Sequence, residues 1–182
     1  RDLSFSTIDV FDGTTRREFL GTVAAGAAAG IAAKTGVSRA ATQNANERLG
    51  IGFIGGGGRG TTHMRILKYL QDEENLPVEF VAVCDVYRPR MEQARKKYGM
   101  DSGYMDHREL LEDPAVDVVC IASPDHHHGY QAIDAIEAGK DVYCEKPVTH
   151  WTQFELTKKL AETVENSDQV FQLGTQAMSD SV

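Results

Sequence analysis

The sequence predicts an α/β fold, a doubly wound parallel sheet, on three observations. Short apolar, β-branched runs recur along residues 48 to 176, and stretches of about ten or more residues with helical spacing separate them. Strands joined through helices in this way form βαβ units, and such units pair their strands in parallel. A run of four glycines closes the first apolar segment, in "LGIGFIGGGGRG", at the point where a strand should turn into a helix.

The elements follow in order. "LGIGFI" (Leu49–Ile54) reads as a short buried strand. After the glycines, "TTHMRILKYLQD" places Met64, Leu67 and Leu70 at helical spacing. "VEFVAVC" (Val78–Cys84) is β-branched and strand-like. "PRMEQARKKYG" puts Met91, Ala94 and Tyr98 on one helix face, with Gly99 as a C-terminal cap. "HRELLED" is a short helix stopped by Pro114, and "VDVVCIAS" (Val116–Ser123) is the cleanest buried strand. A helix over about Asp125–Ala138 follows, closed by Gly139, and then the strand "DVYCE", the helix "TQFELTKKLAETVENS" and the strand "QVFQLG".

Composition bounds the function. The 182 residues, 41% apolar and 25% charged, suit one globular domain with a real core and are marginal for two. A net charge of −8 argues against nucleic acid or an anionic membrane surface as the main partner. Three cysteines, Cys84, Cys120 and Cys144, without CxxC spacing read as small buried hydrophobes, not as a disulfide framework or zinc site.

The first forty residues read as an address. Arg16 and Arg17 form a basic head, Gly21 to Ala33 is an Ala/Gly-rich apolar stretch, and Ser38-Arg39-Ala40 resembles a cleavage site. "TRREFL" resembles the twin-arginine signal for export of folded proteins, which places the mature protein in the periplasm or outside a bacterial cell. No membrane association beyond export is expected. A polar leader, 41–47, precedes the fold. The chain begins on Arg1, so its natural start is expected to be missing or mistranslated.

The glycines have a chemical reading. Gly55-x-Gly57-x-x-Gly60, with Gly58 among them, lies between a strand and a helix. A pyrophosphate can sit there against bare amides at the positive end of the helix dipole. Arg59 can add a charge beside the phosphates or the ribose. Asp85, at the end of the second strand, stands where a ribose-binding acid belongs and favours NAD, while Arg88 and Arg90 keep NADP open.

Ser123-Pro124-Asp125 starts a helix at the carboxyl edge of the sheet, where such folds bind ligands. His126, His127 and His128 are consecutive and point about 100° apart on a helix, so no metal site is expected. "VYCEKP" brings Glu145 and Lys146 to the same edge. A lysine there can hydrogen-bond a substrate hydroxyl and help remove its proton as hydride leaves. An isolated Glu-Lys pair would be a surface ion pair.

Taken together, "GFIGGGGRG", "CD" at Cys84-Asp85, "VCIASPDHHH", "AIEAGKDVYCEKP" and "FQLGTQ" resemble the glucose–fructose oxidoreductase / inositol dehydrogenase / rhizopine-catabolism (Gfo/Idh/MocA) family over essentially all of residues 48 to 176. The resemblance implies an NAD(P)-binding Rossmann domain over 48–176 and a C-terminal α/β substrate domain, of which 177–182 would be the truncated start. It implies hydride transfer to or from a sugar or cyclitol carbon, with Lys146 as the active-site lysine. Lys146-Pro147 maps onto a peptide bond often found cis, His128 onto the histidine beginning the fourth βα helix, and Gln176 onto a position near the nicotinamide. The expected cofactor-binding set is Gly55, Gly57, Gly58, Arg59, Gly60, Asp85, Ser123, Pro124, His128, Glu145, Lys146 and Gln176. A homo-oligomer is expected at full length, and an inactive protein from the present chain alone. Two alternatives stand beside this reading: an NAD-dependent glycosidase on the same scaffold, and a non-catalytic dinucleotide-binding remnant.

Overall fold

The computed structural model describes residues 48–175. The export signal, the leader, Gln176 and the segment 177–182 lie outside the described residues.

Six strands form one parallel sheet: β1 (Leu49–Ile54), β2 (Val78–Cys84), β3 (Ser102–Tyr104), β4 (Val118–Ile121), β5 (Asp141–Glu145) and β6 (Phe171–Gly174). Their order across the sheet is β3-β2-β1-β4-β5-β6. The chain winds outward from β1 to β3, returns to β4 beside β1, and winds outward again. That reversal leaves a crevice at the carboxyl ends of β1 and β4, where open α/β sheets bind ligands.

The helices are α1 (Gly58–Glu73), α2 (Arg88–Tyr98), α3 (His107–Leu111), α4 (Asp125–Glu137) and α5 (Phe154–Glu165). Two apolar clusters cover the two faces of the sheet. Phe53, Val78, Phe80 and Cys120 meet Met64 of α1 and Met91 and Ala94 of α2. On the other face Ile54, Val119, Ile121, Val142 and Cys144 meet Leu110 of α3, Ile133 and Ile136 of α4 and Leu160 of α5. Both faces of β1 and β4 are buried, which is why those strands read as continuous apolar runs.

Local details show how these residues choose these elements. Gly99 ends α2 at φ 68°, the left-handed cap that glycine adopts without strain. Asp106 caps α3, its side chain accepting the Arg108 amide. Lys140 donates from Nζ to the carbonyls of Asp113 and Val116, tying the start of β5 to the approach to β4.

The structure departs from the sequence reading in three places. The strand β3 lies between Gly99 and His107, where no strand is predicted. It has three half-buried residues, one of them Gly103, where a side chain would strike the Met91 thioether. The helix α1 begins at Gly58, inside the glycine run, three residues before the predicted helix. In β2, Val81 has no partner on β1, because Ile51 pairs Phe80 and Gly52 pairs Ala82. This one-residue bulge switches the face that later side chains take. Phe80 and Val83 therefore share one cluster, while Ala82 and Cys84 join the other.

Candidate dinucleotide and catalytic site

The glycine turn is built for two different reasons. Gly55 has φ 99°, and a side chain there would press on the Ala122 carbonyl. A side chain at Gly60 would land on the carbonyl oxygen of Gly55. These two glycines let the turn and helix close on β1 and on the strand end beside it. Gly57 and Gly58 answer to nothing in the protein: a Cβ at Gly57 meets only Arg90 Nη1, at 4.0 Å, and one at Gly58 meets nothing within 4 Å. The open space in front of them lies at the amino end of α1, which has no side-chain cap and no acidic residue in its first turn. The amides there have no intrahelical partner, so the position suits an anion that comes close to backbone. The residues present fit a dinucleotide pyrophosphate.

Asp85 is buried, and both its oxygens are engaged. Oδ2 accepts the Gly56 amide at 3.0 Å, and Oδ1 accepts the Tyr87 amide at 2.9 Å. Nη1 of Arg90 approaches the same carboxylate at 3.3 Å and stacks near the Tyr87 ring. The acid at the end of β2, predicted to bind the ribose, thus also shapes the glycine turn. That structural duty was not part of the sequence reading.

Arg59, predicted beside the phosphates or the ribose, has a partner on β5 within the protein. Its Nε donates to Oε1 of Glu145 at 2.6 Å, so the guanidinium faces β5. His63, one helical turn on, donates from Nε2 to the same oxygen at 2.8 Å. A carboxylate only accepts, so Nε2 carries the hydrogen. The His63 ring also sits edge-on to Tyr143, with centroids 5.3 Å apart. Burial pushes the His63 pKa down, against the upward pull of Glu145. Burial would push the Glu145 carboxyl up, but Arg59 and His63 together hold it below its ordinary value. His63 was absent from the sequence reading. Its spacing of four from Arg59 puts both on one face of α1, and that spacing was the signal available.

The other predicted residues gather on the same edge. Arg59, Ala122, Ser123, Asp125, His128, Glu145 and Lys146 line one cleft of about 300 Å³. Pro124 is the N-cap of α4. Ser123 donates from Oγ to Gln131 at 2.6 Å. His128 is buried with its ring between two carbonyl oxygens, Nδ1 2.7 Å from that of Pro147 and Nε2 2.8 Å from that of Ser123. It holds the loop after β4 to the loop after β5. His126 and His127 instead lie on the surface, their rings 4.1 Å apart between centroids and tilted by 45°. Among the described residues no group of three His, Cys, Asp or Glu side chains could hold a metal ion. The Lys146-Pro147 bond is cis. Lys146 is exposed at the cleft. The three cysteines are buried and unpaired, each thiol pushed up to about 12, chiefly by burial.

The family model described as an oxidoreductase family with an NAD-binding Rossmann fold, GFO_IDH_MocA, matches residues 49–175. The chain belongs to the Gfo/Idh/MocA family. Its described residues are the family's NAD-binding Rossmann domain. A myo-inositol 2-dehydrogenase of Thermotoga maritima is 37% identical over 99 residues, covering 54% of this chain and 28% of its own length. A solved levoglucosan dehydrogenase in complex with NADH superposes with a TM-score of 0.63 at 28% identity, over 69% of this chain and 34% of that one. A glycosyl hydrolase family 109 protein of a Shewanella species is 32% identical over 111 residues, 56% of this chain and 23% of its own. The chain thus spans about a third or less of the length of these Gfo/Idh/MocA relatives.

Proposed function

We propose that the protein is the cofactor-binding part of an NAD(P)-dependent dehydrogenase acting on a sugar or cyclitol carbon. One observation carries this reading: the amine of Lys146 stands in the same cleft as Arg59 of the glycine turn and the Ser123–His128 loop. A dinucleotide lying on Gly57 and Gly58 would lead its reactive end along this edge toward Lys146. When bound, the nicotinamide accepts or donates the hydride. The chain's own residues do the rest. The α1 amides hold the pyrophosphate, Asp85 accepts from ribose hydroxyls on lone pairs left by Gly56 and Tyr87, and Lys146 hydrogen-bonds the substrate hydroxyl and takes its proton.

The dehydrogenase names of the inositol and levoglucosan relatives support this substrate class. The glycosyl hydrolase relative carries the same scaffold into another reaction, so the test must separate net redox from bond hydrolysis. A form of the protein long enough to enclose substrate is incubated with NAD and a panel of sugars and cyclitols, and then with aryl glycosides. NADH formation with a polyol supports the dehydrogenase. Release of phenol without accumulation of NADH overturns it.

We propose further that the protein is exported through its paired arginines, a reading that rests on the residues of the signal alone. Changing Arg16 and Arg17 to lysine should leave it in the cytoplasm. Export that continues in cells lacking the folded-protein translocase would refute the assignment.

A further inference from the structure

Glu145 and Lys146 are consecutive, line one cleft and carry opposite charges, yet they do not pair. Among the described residues the Lys146 ammonium has no hydrogen bond or ion pair, and the residue engages Glu145 only through its backbone amide. The carboxylate is already occupied. Oε1 accepts from Arg59 at 2.6 Å and from His63 at 2.8 Å, and Oε2 accepts the Lys146 backbone amide at 3.2 Å. The Glu145 side chain is 5% exposed, so water cannot replace a lost partner cheaply.

We infer that Arg59 and His63 are positioning residues for Lys146: by holding the Glu145 carboxylate from the α1 side, they keep it from capturing the neighbouring ammonium, and so leave the amine open to a substrate hydroxyl. The inference rests on reading this cleft as the oxidoreductase site. Its physical basis is a competition for one buried anion. A buried carboxylate that loses a cation takes the nearest other one, because an uncompensated charge there costs several kcal/mol. Arg59 offers a fixed planar donor on a helix, and Lys146 a mobile point charge on a four-carbon stem. With Arg59 in place the anion belongs to α1. Without it, the lysine next door is the closest replacement, and a lysine so paired is held on the carboxylate and is not open to a substrate hydroxyl.

Acetic anhydride labelling of the full 182-residue chain, read by mass spectrometry, tests this without turnover, because only an unprotonated amine is acylated. Lys140, bonded to the Asp113 and Val116 carbonyls, serves as the internal reference. Arg59→Gln should slow Lys146 acylation roughly tenfold relative to Lys140, the effect of a newly adjacent opposite charge. His63→Leu should slow it less, since Arg59 remains. Arg59→Lys should stay near the unmodified rate. The deciding variant is Arg59→Gln with Glu145→Gln: removing the anion as well should restore the rate, which a loss of local structure would not do. Unchanged Lys146 labelling in Arg59→Gln, or a double variant as slow as the single one, overturns the inference. NADH titration of the same samples is a separate matter. A chain that binds no NADH refutes the dinucleotide reading, while the labelling comparison still decides the Arg59–Glu145–Lys146 relation.

Discussion

Oδ2 of Asp85 accepts the backbone amide of Gly56 at 3.0 Å, joining the end of β2 to the glycine turn across 29 residues. In the proposed reading one carboxylate therefore serves two purposes: it accepts from the ribose and it holds the loop that would receive the phosphates. Asp85→Ala should show both losses. The buried Gly56 amide loses its acceptor, as does the more exposed Tyr87 amide, a cost of about 1–3 kcal/mol in a denaturant titration. Binding should weaken more for NAD than for NADP, because only NAD gains from hydroxyl acceptance at this position. Equal losses for both cofactors, by calorimetry, would remove the ribose role and leave the structural one.

The glycines should separate by experiment in the same way. A side chain at Gly57 has open space within the protein but would stand where the proposed pyrophosphate lies. Gly57→Val should leave the unfolding midpoint nearly unchanged, a shift within about 0.5 kcal/mol, and abolish NADH binding. At Gly60 a methyl group meets the Gly55 carbonyl, so Gly60→Ala should destabilise the fold itself. Thermal melts and NADH fluorescence titrations of the two variants check this. A strongly destabilised Gly57→Val would show that the protein, not the ligand, requires that glycine.

These two glycines also show what could be read from the sequence and what could not. Strands β1, β2, β4 and β5 were legible because each is an apolar run between turn signals, and burial on both faces demands that pattern. β3 was not, since Ser102, Gly103 and Tyr104 sit half-buried at an edge and carry no such run. The Val81 bulge was invisible, because an apolar residue suits either face of a doubly covered sheet. In the site, the glycines, Asp85 and Lys146 announce themselves by position along the chain. The Arg59–Glu145 and His63–Glu145 contacts link residues more than 80 apart, and only the order of strands brings β5 beside the amino end of α1.

The Arg59–His63–Glu145 cluster should make stability depend on pH in two stages. The folded His63 pKa lies below the ordinary imidazole value, mainly through burial, so the unfolded chain takes up its proton first on acidification. Its contribution is fully present above about pH 6.5 and is lost as the pH falls through the lower folded value. Glu145 follows. Its folded pKa lies below its ordinary one because Arg59 and His63 outweigh burial, so its contribution persists above about pH 4.3 and is lost below. Urea midpoints measured from pH 7.5 downward should fall through the first stage, and His63→Leu should flatten that part of the profile. An identical slope in His63→Leu would assign the effect to other groups.

Lys146 is the residue on which the chemistry depends in the proposed reaction. Its side chain is exposed at the cleft and engaged by no carboxylate, so it contributes little to folding, and Lys146→Ala should leave the unfolding midpoint close to that of the parent. NADH affinity should also change little, because the proposed pyrophosphate and ribose contacts lie with α1 and Asp85. Turnover is another matter. Hydride leaves a carbinol carbon only as its hydroxyl proton is taken, and the loss of an acid–base group commonly costs 10²- to 10⁴-fold, an order-of-magnitude figure. Donor and acceptor must also be held in near-attack geometry, a contribution of about 7–11 kcal/mol to the barrier. In the proposed reading the cleft supplies one wall of that enclosure, and the relatives are about three to four times as long as the segment they match. The 182-residue chain alone should therefore bind NADH without steady turnover of sugars or cyclitols. In a form of the protein long enough to enclose substrate, Lys146→Ala should cut kcat by that 10²- to 10⁴-fold at nearly constant NADH affinity. Near-parental kcat in that variant would move the proton acceptor to another residue.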